Sequence, residues 1–114
     1  MHELSIVVDL INLCEKNALK NGAKSCEKII IKVGKLSGIE PHLLENAFEF
    51  YKETSQICKN SALQINVQNV VAKCEDCGNE FQILDYEFFC HNCKSKNLKV
   101  IDGEDMYLMQ LVLV

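Results

Sequence analysis

The sequence predicts an α+β fold, in which a small mixed β-sheet with two helices carries an inserted metal-ribbon or knuckle domain. Apolar residues recur at helical spacing in residues 4–18 and 41–54. β-Branched and alternating apolar residues mark strands between and after these helices. Two Cys-x-x-Cys pairs, twelve residues apart, lie between two of the strands. We therefore expect an α/β body made of residues 1–73 and 94–114, and a four-cysteine domain of residues 74–93.

Both helices are predicted from an apolar face and from residues that suit their ends. The first runs to about Asn21 before Gly22, and its apolar stripe consists of Leu4, Val7, Val8, Ile11, Cys14 and Ala18. In the second helix Pro41 takes a first-turn position, as its fixed φ allows, and the helix ends near Thr54. The apolar face of this second helix consists of Leu43, Leu44, Ala47, Phe48 and Tyr51. Each helix thus has one side to pack against a sheet.

The strands are predicted from β-branched runs and from alternation. The run from Glu27 to Leu36 is expected to point three apolar side chains to one face, Ile29, Ile31 and Val33. Leu63, Ile65 and Val67 alternate with polar residues, and we expect this strand to continue through Val70 and Val71 to the first cysteine pair. Residues 98–101, the turn Asp102-Gly103 and residues 106–114 complete the expected sheet.

The four cysteines of residues 74–93 predict a metal site of four thiolates. Each Cys-x-x-Cys pair can direct two sulfurs to one ion, and Gly78 permits the tight turn after the first pair. The ligands are Cys74, Cys77, Cys90 and Cys93. Structural zinc is favoured, because four soft ligands leave no open position for water or substrate. A single iron, an iron–sulfur cluster, or a pair of metal-free dithiols or disulfides remain alternatives.

Composition and charge exclude several classes of function. The net charge is −4, and the segment between Cys74 and Cys93 holds five acidic residues and no Lys or Arg, so nucleic acid should be repelled there. No apolar run approaches the roughly 20 residues that span a bilayer, and no signal segment opens the chain. An odd count of seven cysteines then favours reduced thiols in the cytoplasm. The remaining three, Cys14, Cys26 and Cys58, are expected to be small buried apolar residues.

Six apolar side chains accompany the cysteines and are expected to cover the metal. They are Phe81, Ile83, Leu84, Tyr86, Phe88 and Phe89. A domain this small cannot bury all six, so some of them could form a contact surface.

A second candidate metal site stands at the N-terminus. A bulky second residue generally blocks removal of the initiator Met, so the Met1 amine, the His2 amide and the His2 imidazole can form fused five- and six-membered chelate rings. The Glu3 amide, its carboxylate or water would complete a square. This planar set of nitrogen ligands selects Ni(II) or Cu(II). The alternative is a disordered terminal His without a metal role.

Several of these features together resemble the HypA/HybF family of hydrogenase nickel-insertion proteins. They are Met1-His2-Glu3, the helix after it, the segment Ile31-Lys32-Val33-Gly34-Lys35-Leu36-Ser37 and the spacing of the four cysteines. The resemblance implies a nickel-binding domain of residues 1–73 and 94–114, with nickel on Met1, His2 and possibly Glu3. It also implies a structural zinc domain, and delivery of nickel to a [NiFe]-hydrogenase precursor together with the GTPase HypB. We also expect a monomer or weak homodimer that has no enzymatic activity and no nucleic acid or membrane partner.

One departure and two alternatives accompany this interpretation. Some relatives place a His just after a Cys-x-x-Cys pair, whereas here Asn79 and Lys94 stand near those places and His91 lies inside the second pair, so exchange of a Cys for a His ligand is in doubt. The first alternative is a zinc-stabilised protein-interaction adaptor without nickel. The second is a redox enzyme that uses its Cys-x-x-Cys pairs, which metal occupancy would block.

Overall fold

The computed structural model describes the backbone of residues 2–114 and the side chains of residues 3–114. Two helices and six strands follow one another in the order α1 His2–Lys20, β1 Cys26–Gly34, α2 Pro41–Tyr51 with a 3-10 turn Lys52–Thr54, β2 Ala62–Gln68, β3 Val70–Cys74, β4 Glu80–Ile83, β5 Leu98–Asp102 and β6 Met106–Leu113. The strands form two three-stranded sheets, ordered β2-β1-β6 and β4-β3-β5. The predicted α+β class with two helices and small mixed sheets is confirmed.

The chain divides into two compact units, whose boundaries lie within strands. The first unit comprises the chain up to Lys32 together with Ile39–Asn66 and Tyr107–Val114, and it contains both helices. The second comprises Val33–Gly38 and Val67–Met106, and it contains all four cysteines of the two Cys-x-x-Cys pairs. The division predicted from sequence, 1–73 with 94–114 against 74–93, was drawn around the cysteines alone. That residues 74–93 fold as a separate domain stays a prediction.

The core of the first unit is built from the predicted faces. Ile29 and Ile31 of the predicted strand face are buried in this unit, and Val33, which belongs to the second unit, is buried as well. The buried side chains of the helices are Val7, Leu10, Ile11, Cys14 and Ala18 in α1, and Leu44 and Phe48 in α2. Leu10 therefore belongs to the core although the predicted stripe omitted it, whereas Val8 lies at the edge of the face and is exposed. The predicted face of α2 is likewise only partly buried, since Leu44 is buried but Leu43 is exposed.

The first sheet is mixed. Ser25 and Val114 exchange backbone hydrogen bonds of 3.4 and 2.8 Å, the pattern of an antiparallel pair, so β6 runs antiparallel to β1. β1 and β2 are neighbours joined through helix α2, which is the connection typical of parallel strands. Lys35, directly after β1, donates to the carbonyl of Gln68 at the end of β2, as a parallel pair requires.

The second sheet is antiparallel and corrects one prediction. β3 pairs with β4 through Val70↔Ile83 to Lys73↔Glu80, and with β5 on its other side. The single strand expected through residues 63–71 is wrong, because β2 ends at Gln68 and β3 begins at Val70 in a different sheet. Alternation breaks at Asn69, where a polar residue takes a position that the period assigns to an apolar one.

The break between β2 and β3 is held by a close backbone approach. Gly103 follows β5 with φ +100°, and a Cβ atom built there would lie 2.8 Å from the Cα of Val70. Only glycine fits this conformation and this distance. Val70, Ala72 and Ile83 are the buried residues of the second unit's apolar cluster, and Phe81, Leu98 and Val100 pack against them. Strand β4, which was not predicted from the sequence, contributes Ile83 and Phe81.

Candidate metal centre

The two Cys-x-x-Cys pairs form two turns with the same backbone hydrogen bonds. In the first, the amide of Gly78 donates to Cys74 O at 2.8 Å, and the amide of Cys74 donates to Asn79 O at 2.8 Å. In the second, Lys94 donates to Cys90 O at 2.7 Å, and Cys90 donates to Ser95 O at 2.8 Å. The residue after each second cysteine has a left-handed φ, +77° at Gly78 and +65° at Lys94. The local sequence thus folds twice into the same knuckle.

The knuckles bring the four predicted sulfurs together. Cys74 Sγ lies 3.5 Å from Cys93 Sγ, Cys77 Sγ lies 3.6 Å from Cys90 Sγ, and all four are within 4.8 Å of one another. Four sulfurs bound to zinc at about 2.3 Å in a tetrahedron would lie about 3.8 Å apart. The donor set and its spacing therefore fit a tetrahedral ion, whereas a disulfide would need about 2.05 Å between sulfurs.

Backbone amides inside each knuckle favour thiolates. Hydrogen bonds from the amides of Cys77 and then Asp76 lower the pKa of Cys74. In the second knuckle the amide of Cys93 lowers the pKa of Cys90, to about 6. The amide of Ser95 also acts to lower the pKa of Cys93, but the other cysteine sulfurs raise it, and the net value is about 12. Four thiolates can therefore stand together only around a cation that offsets their mutual repulsion.

Polar side chains that were not predicted from the sequence join the two knuckles. The Asp76 carboxylate accepts hydrogen bonds from the Ser95 hydroxyl and, at 3.5 Å, from the Asn97 amide. The Glu75 amide donates to Asn97 O at 2.9 Å, and Asn92 Nδ2 donates to Cys77 Sγ at 3.7 Å. Cysteine spacing could not reveal these partners. The available signal was the run of Asp and Asn residues within and just after each pair, which suits tight turns.

Some of the other side chains near the cysteines pack inside the unit, and others are exposed to solvent. Ile83 is buried, Phe81 is half-buried, and the Phe89 ring lies 4.9 Å from the His91 ring. His91 is exposed and stands outside the group of ligand atoms, which is made only of the four sulfurs among the side chains that the structure describes. Leu84, Tyr86 and Phe88 are exposed, so part of the predicted apolar cover does not pack inside this unit.

The predicted nickel ligands lie at the edge of the described residues. The side chains of Met1 and His2 fall outside them, so the structure places neither. The backbone of α1 begins at His2, and Glu3 is half-buried in its first turn. None of the helices in the described part of the chain has the length and apolar character needed to cross a bilayer.

Comparison with known proteins identifies the family. A sequence model described as "Hydrogenase/urease nickel incorporation, metallochaperone, hypA" matches residues 1–113. The chain belongs to the HypA family. The family is one of nickel-incorporation metallochaperones that act in hydrogenase maturation.

Individual members of the HypA family match over nearly the whole chain. The chain is 46% identical to the hydrogenase maturation factor HypA of Campylobacter jejuni over 113 residues, which cover 99% of each chain. It is 42% identical to that of Aquifex aeolicus, with 99% of this chain and 97% of the relative covered. The solution structure of the Ni metallochaperone HypA from Helicobacter pylori aligns with a TM-score of 0.70 at 34% identity, covering 98% and 97% of the two chains. A second HypA solution structure gives 0.78 at 36% identity, covering 100% and 97%.

Proposed function

We propose that this HypA protein binds Ni(II) at its N-terminus and delivers the ion to a [NiFe]-hydrogenase precursor. The observation that carries the proposal is the start of helix α1 at His2, within the sequence Met1-His2-Glu3. A helix that begins there would give a nickel chelate a defined position next to its first turn. The match to the nickel-incorporation family includes the same residues, because it extends to position 1.

The beginning of a helix suits this chelate chemically. The first four amide N–H groups of a helix have no acceptor within it, so the amides of His2 and Glu3 can lose a proton to nickel without breaking helical hydrogen bonds. The positive end of the helix dipole opposes a cation there. Two negative groups offset that effect in the proposed site, the deprotonated amide and the Glu3 carboxylate in the first turn.

Zinc is the proposed ion of the four-cysteine site, and its role is structural. The sulfur geometry fits zinc, and all four tetrahedral positions are taken by Cys74, Cys77, Cys90 and Cys93. Such a site would hold the two knuckles together and leave the transported metal to the N-terminus. Zn(II) is thus the resident ion and Ni(II) the cargo.

Delivery requires partners, because this chain has no sequence signature of nucleotide hydrolysis. No phosphate-binding Gly-rich loop can be found in the sequence. We therefore assign that step to the GTPase HypB, and we assign nickel receipt to the hydrogenase large-subunit precursor in the cytoplasm. The chain would act as a monomer or weak homodimer. The proposed docking surface is α1, where two open clefts of about 300 and 200 Å³ share the side chains Val8 and Tyr51.

The test is a calorimetric nickel titration of three untagged proteins at matched pH: the native chain, a form extended by one Gly before Met1, and His2→Ala. Extension converts the Met1 amine into an amide and displaces the terminal amine from the fused rings, so nickel affinity should fall sharply. His2→Ala removes the imidazole with the same effect. Zinc content serves as the control, since neither change touches the cysteines.

Acid should also weaken nickel binding. The metal must displace protons from the amine, the amide and the imidazole, and protonation of an imidazole with an ordinary pKa near 6.5 contributes first as pH falls. If the extended protein binds nickel as tightly as the native one, with the same planar spectrum, Met1 is not a ligand. Unchanged binding in both variants would favour the adaptor without a nickel role.

A further inference from the structure

Three large apolar side chains are exposed within five residues of the second unit. Residues 84–88, which we call the aromatic turn, lie between strand β4 and the second knuckle. Tyr86 is 78% exposed, Leu84 is 54% exposed and Phe88 is 43% exposed. The Tyr86 and Phe88 ring centroids are 6.4 Å apart, so the two rings form a contiguous surface. Single exposed apolar residues are ordinary, but a contiguous group of this kind is typical of contact surfaces.

The backbone of the aromatic turn has a strained conformation at Tyr86. Asp85 and Tyr86 have φ values of +54° and +60°, and the Glu87 amide donates to Leu84 O at 3.2 Å. Two successive left-handed residues within such a bond define a tight turn in which Asn, Asp and Gly are preferred. Asp85 suits its position, whereas a Tyr in this region costs roughly 1–2 kcal/mol. The exposed ring recovers little of that cost by packing within its own unit, so the conformation needs another explanation.

A small-molecule ligand does not provide that explanation. The cavity beside the turn has a volume of only about 30 Å³ and is lined by Lys35, Val70, Ile83, Asp85, Tyr86 and Phe88. Pockets that hold drug-sized ligands have volumes of about 300–1,000 Å³. This cavity could accept little more than a methyl group or one water. An occupant must therefore cover the rings from outside, as the surface of another macromolecule does.

The charge around the rings selects the class of macromolecule. Asp85 and Glu87 flank Tyr86 directly, and the segment between Cys74 and Cys93 contains no Lys or Arg. Two basic side chains lie near the turn: Lys35 lines the adjacent cavity, and His91 Nε2 lies 3.6 Å from the Glu87 carboxylate. Four thiolates around a divalent ion would add two negative charges. Nucleic acid and anionic lipid surfaces are disfavoured by this potential. A protein surface with cationic side chains is complementary to it.

We propose that the aromatic turn is a docking site for a protein partner that presents Lys or Arg side chains around an apolar pocket. The Tyr86 ring enters that pocket, Leu84 and Phe88 pack at its edge, and Asp85 and Glu87 face the cations. An exposed Tyr in a tight turn is a rigid anchor of the kind that dominates binding energy in protein interfaces. The left-handed backbone fixes the ring before the partner arrives, which reduces the entropy lost on binding.

The test measures affinity for two probes, the purified hydrogenase large-subunit precursor and the GTPase HypB, and the choice of these probes rests on the proposed function. The variant is Tyr86→Gly, because glycine adopts a positive φ without strain and so removes the ring while keeping or improving the fold. Its matched control is Met109→Ala, which removes another large exposed apolar side chain, 56% exposed, from the first unit and outside the clefts of α1. Nickel and zinc binding are recorded for every protein.

Tyr86→Gly should bind at least one probe ten or more times more weakly, with metal binding unchanged and with Met109→Ala equal to the native protein. The double variant Asp85→Asn with Glu87→Gln should bind several times more weakly and lose much of the salt dependence. The proposal is wrong if Tyr86→Gly binds both probes like the native protein, or if the native protein binds neither. Tyr86-dependent binding to RNA or anionic vesicles would also contradict it. A failed nickel titration would overturn the proposed function alone, since that readout does not involve the turn.

Discussion

Gly78 and Lys94 stand at equivalent positions of the two knuckles, and only one of them is a glycine. Both have a left-handed φ and both donate to the carbonyl of a cysteine four residues earlier. Lys94 tolerates the conformation while its Nζ lies 5.5 Å from the centre of the Phe89 ring, a cation–π distance. A Cβ atom built at Gly78 would have no other atom within 4 Å, so a side chain there would meet conformational strain rather than a clash.

Gly78→Ala should therefore weaken metal binding without abolishing it. The left-handed penalty of roughly 1–2 kcal/mol corresponds to about a five- to thirty-fold loss of zinc affinity, if folding of the knuckle and binding are coupled. Competition with a chromophoric chelator measures this. Gly22→Ala is the matched control, because Gly22 has φ +67° and equally open surroundings but lies in the first unit. Equal zinc affinities for Gly78→Ala and the native protein would contradict the strain argument.

The three cysteines outside the metal centre form a buried group that the spacing alone did not suggest. Cys14, Cys26 and Cys58 are all buried, as expected, although they come from α1, β1 and the loop before β2. The Ser61 hydroxyl donates to Cys26 O and the Ser61 amide donates to Cys58 O. Ser61 thus links the backbones of Cys26 and Cys58. Contact with the Cys58 thiol and burial both raise the pKa of Cys14 well above its usual range.

A thiol with a raised pKa is neutral at ordinary pH, and the neutral form is unreactive. Native zinc-loaded protein should therefore resist alkylation by iodoacetamide at pH 8 at Cys14. Removal of zinc should make Cys77 react first, since it is exposed and since the other cysteine sulfurs raise the pKa of Cys93, the other exposed thiol. Peptide mass spectrometry assigns the modified positions. Early alkylation of Cys14 in the folded protein would show that its burial or its raised pKa is wrong.

At the scale of the element, helix α2 carries two phenylalanines that should contribute very differently to the stability of the fold. Phe48 is fully buried, whereas Phe50 is exposed two residues later on the other side of the helix. The helix is well started, because Pro41 occupies its first turn and the Glu40 side chain accepts from the His42 amide at 3.1 Å. Its packing, rather than its capping, should then dominate its contribution to stability.

Phe48→Ala should reduce the free energy of unfolding by about 3–5 kcal/mol, the range for deleting a buried aromatic ring. Phe50→Ala should change it by less than about 0.5 kcal/mol, as exposed substitutions generally do. Urea denaturation, monitored by the circular dichroism signal of the helices, gives both free energies of unfolding. A loss of similar size in both variants would mean that α2 does not pack as described.

The elements that could be predicted are those whose own residues decide them. Ile29, Ile31 and Val33 are β-branched and alternate, so strand and buried face followed together. Leu43 could not be separated from Leu44, because a helical period places both near the same face and the width of the contact depends on what packs there. The break at Asn69 lies beside Gly103, a residue of the turn after β5 whose backbone closely approaches Val70. The pattern of residues around Asn69 cannot reveal this approach, because Gly103 is distant in the sequence.

At the scale of the whole molecule, the two units have unequal cores. The first unit buries side chains from two helices and a strand, whereas the apolar cluster of the second contains three buried residues, Val70, Ala72 and Ile83. A cluster of this size supplies little stability by itself. The four-cysteine centre is thus the main element that can hold the second unit folded, since structural zinc contributes about 10–16 kcal/mol of apparent binding energy in small peptides.

Removal of zinc with a strong chelator should unfold the second unit and leave the first one folded. Amide hydrogen exchange should then lose protection at β3–β5 and keep it at α1, α2 and the Ile29–Ile31 segment. Cys90→Ser should reproduce the same pattern without chelator, because it leaves three thiolates. Simultaneous loss of protection throughout the chain would instead show that the two units unfold together.

The convergence of the four sulfurs could be predicted from the sequence, because each Cys-x-x-Cys pair already directs two sulfurs to one point. The supporting residues of the site could not be predicted, since Asp76, Ser95 and Asn97 meet only after both knuckles have folded. The exposure of Tyr86 was equally beyond reach, because an aromatic residue beside cysteines is usually buried. The chain order of apolar residues cannot show which of them the fold leaves uncovered.

The first cysteine of each knuckle is buried and the second is exposed, and this difference has a kinetic consequence. An ion held by all four sulfurs has an inner pair, Cys74 and Cys90, and an outer pair, Cys77 and Cys93. A competing ligand from solution reaches the outer pair, so exchange would proceed by stepwise substitution there while the inner pair retains the ion. The lifetime of the bound ion would then depend on the concentration of attacking thiols in its surroundings, even where its equilibrium affinity is very high.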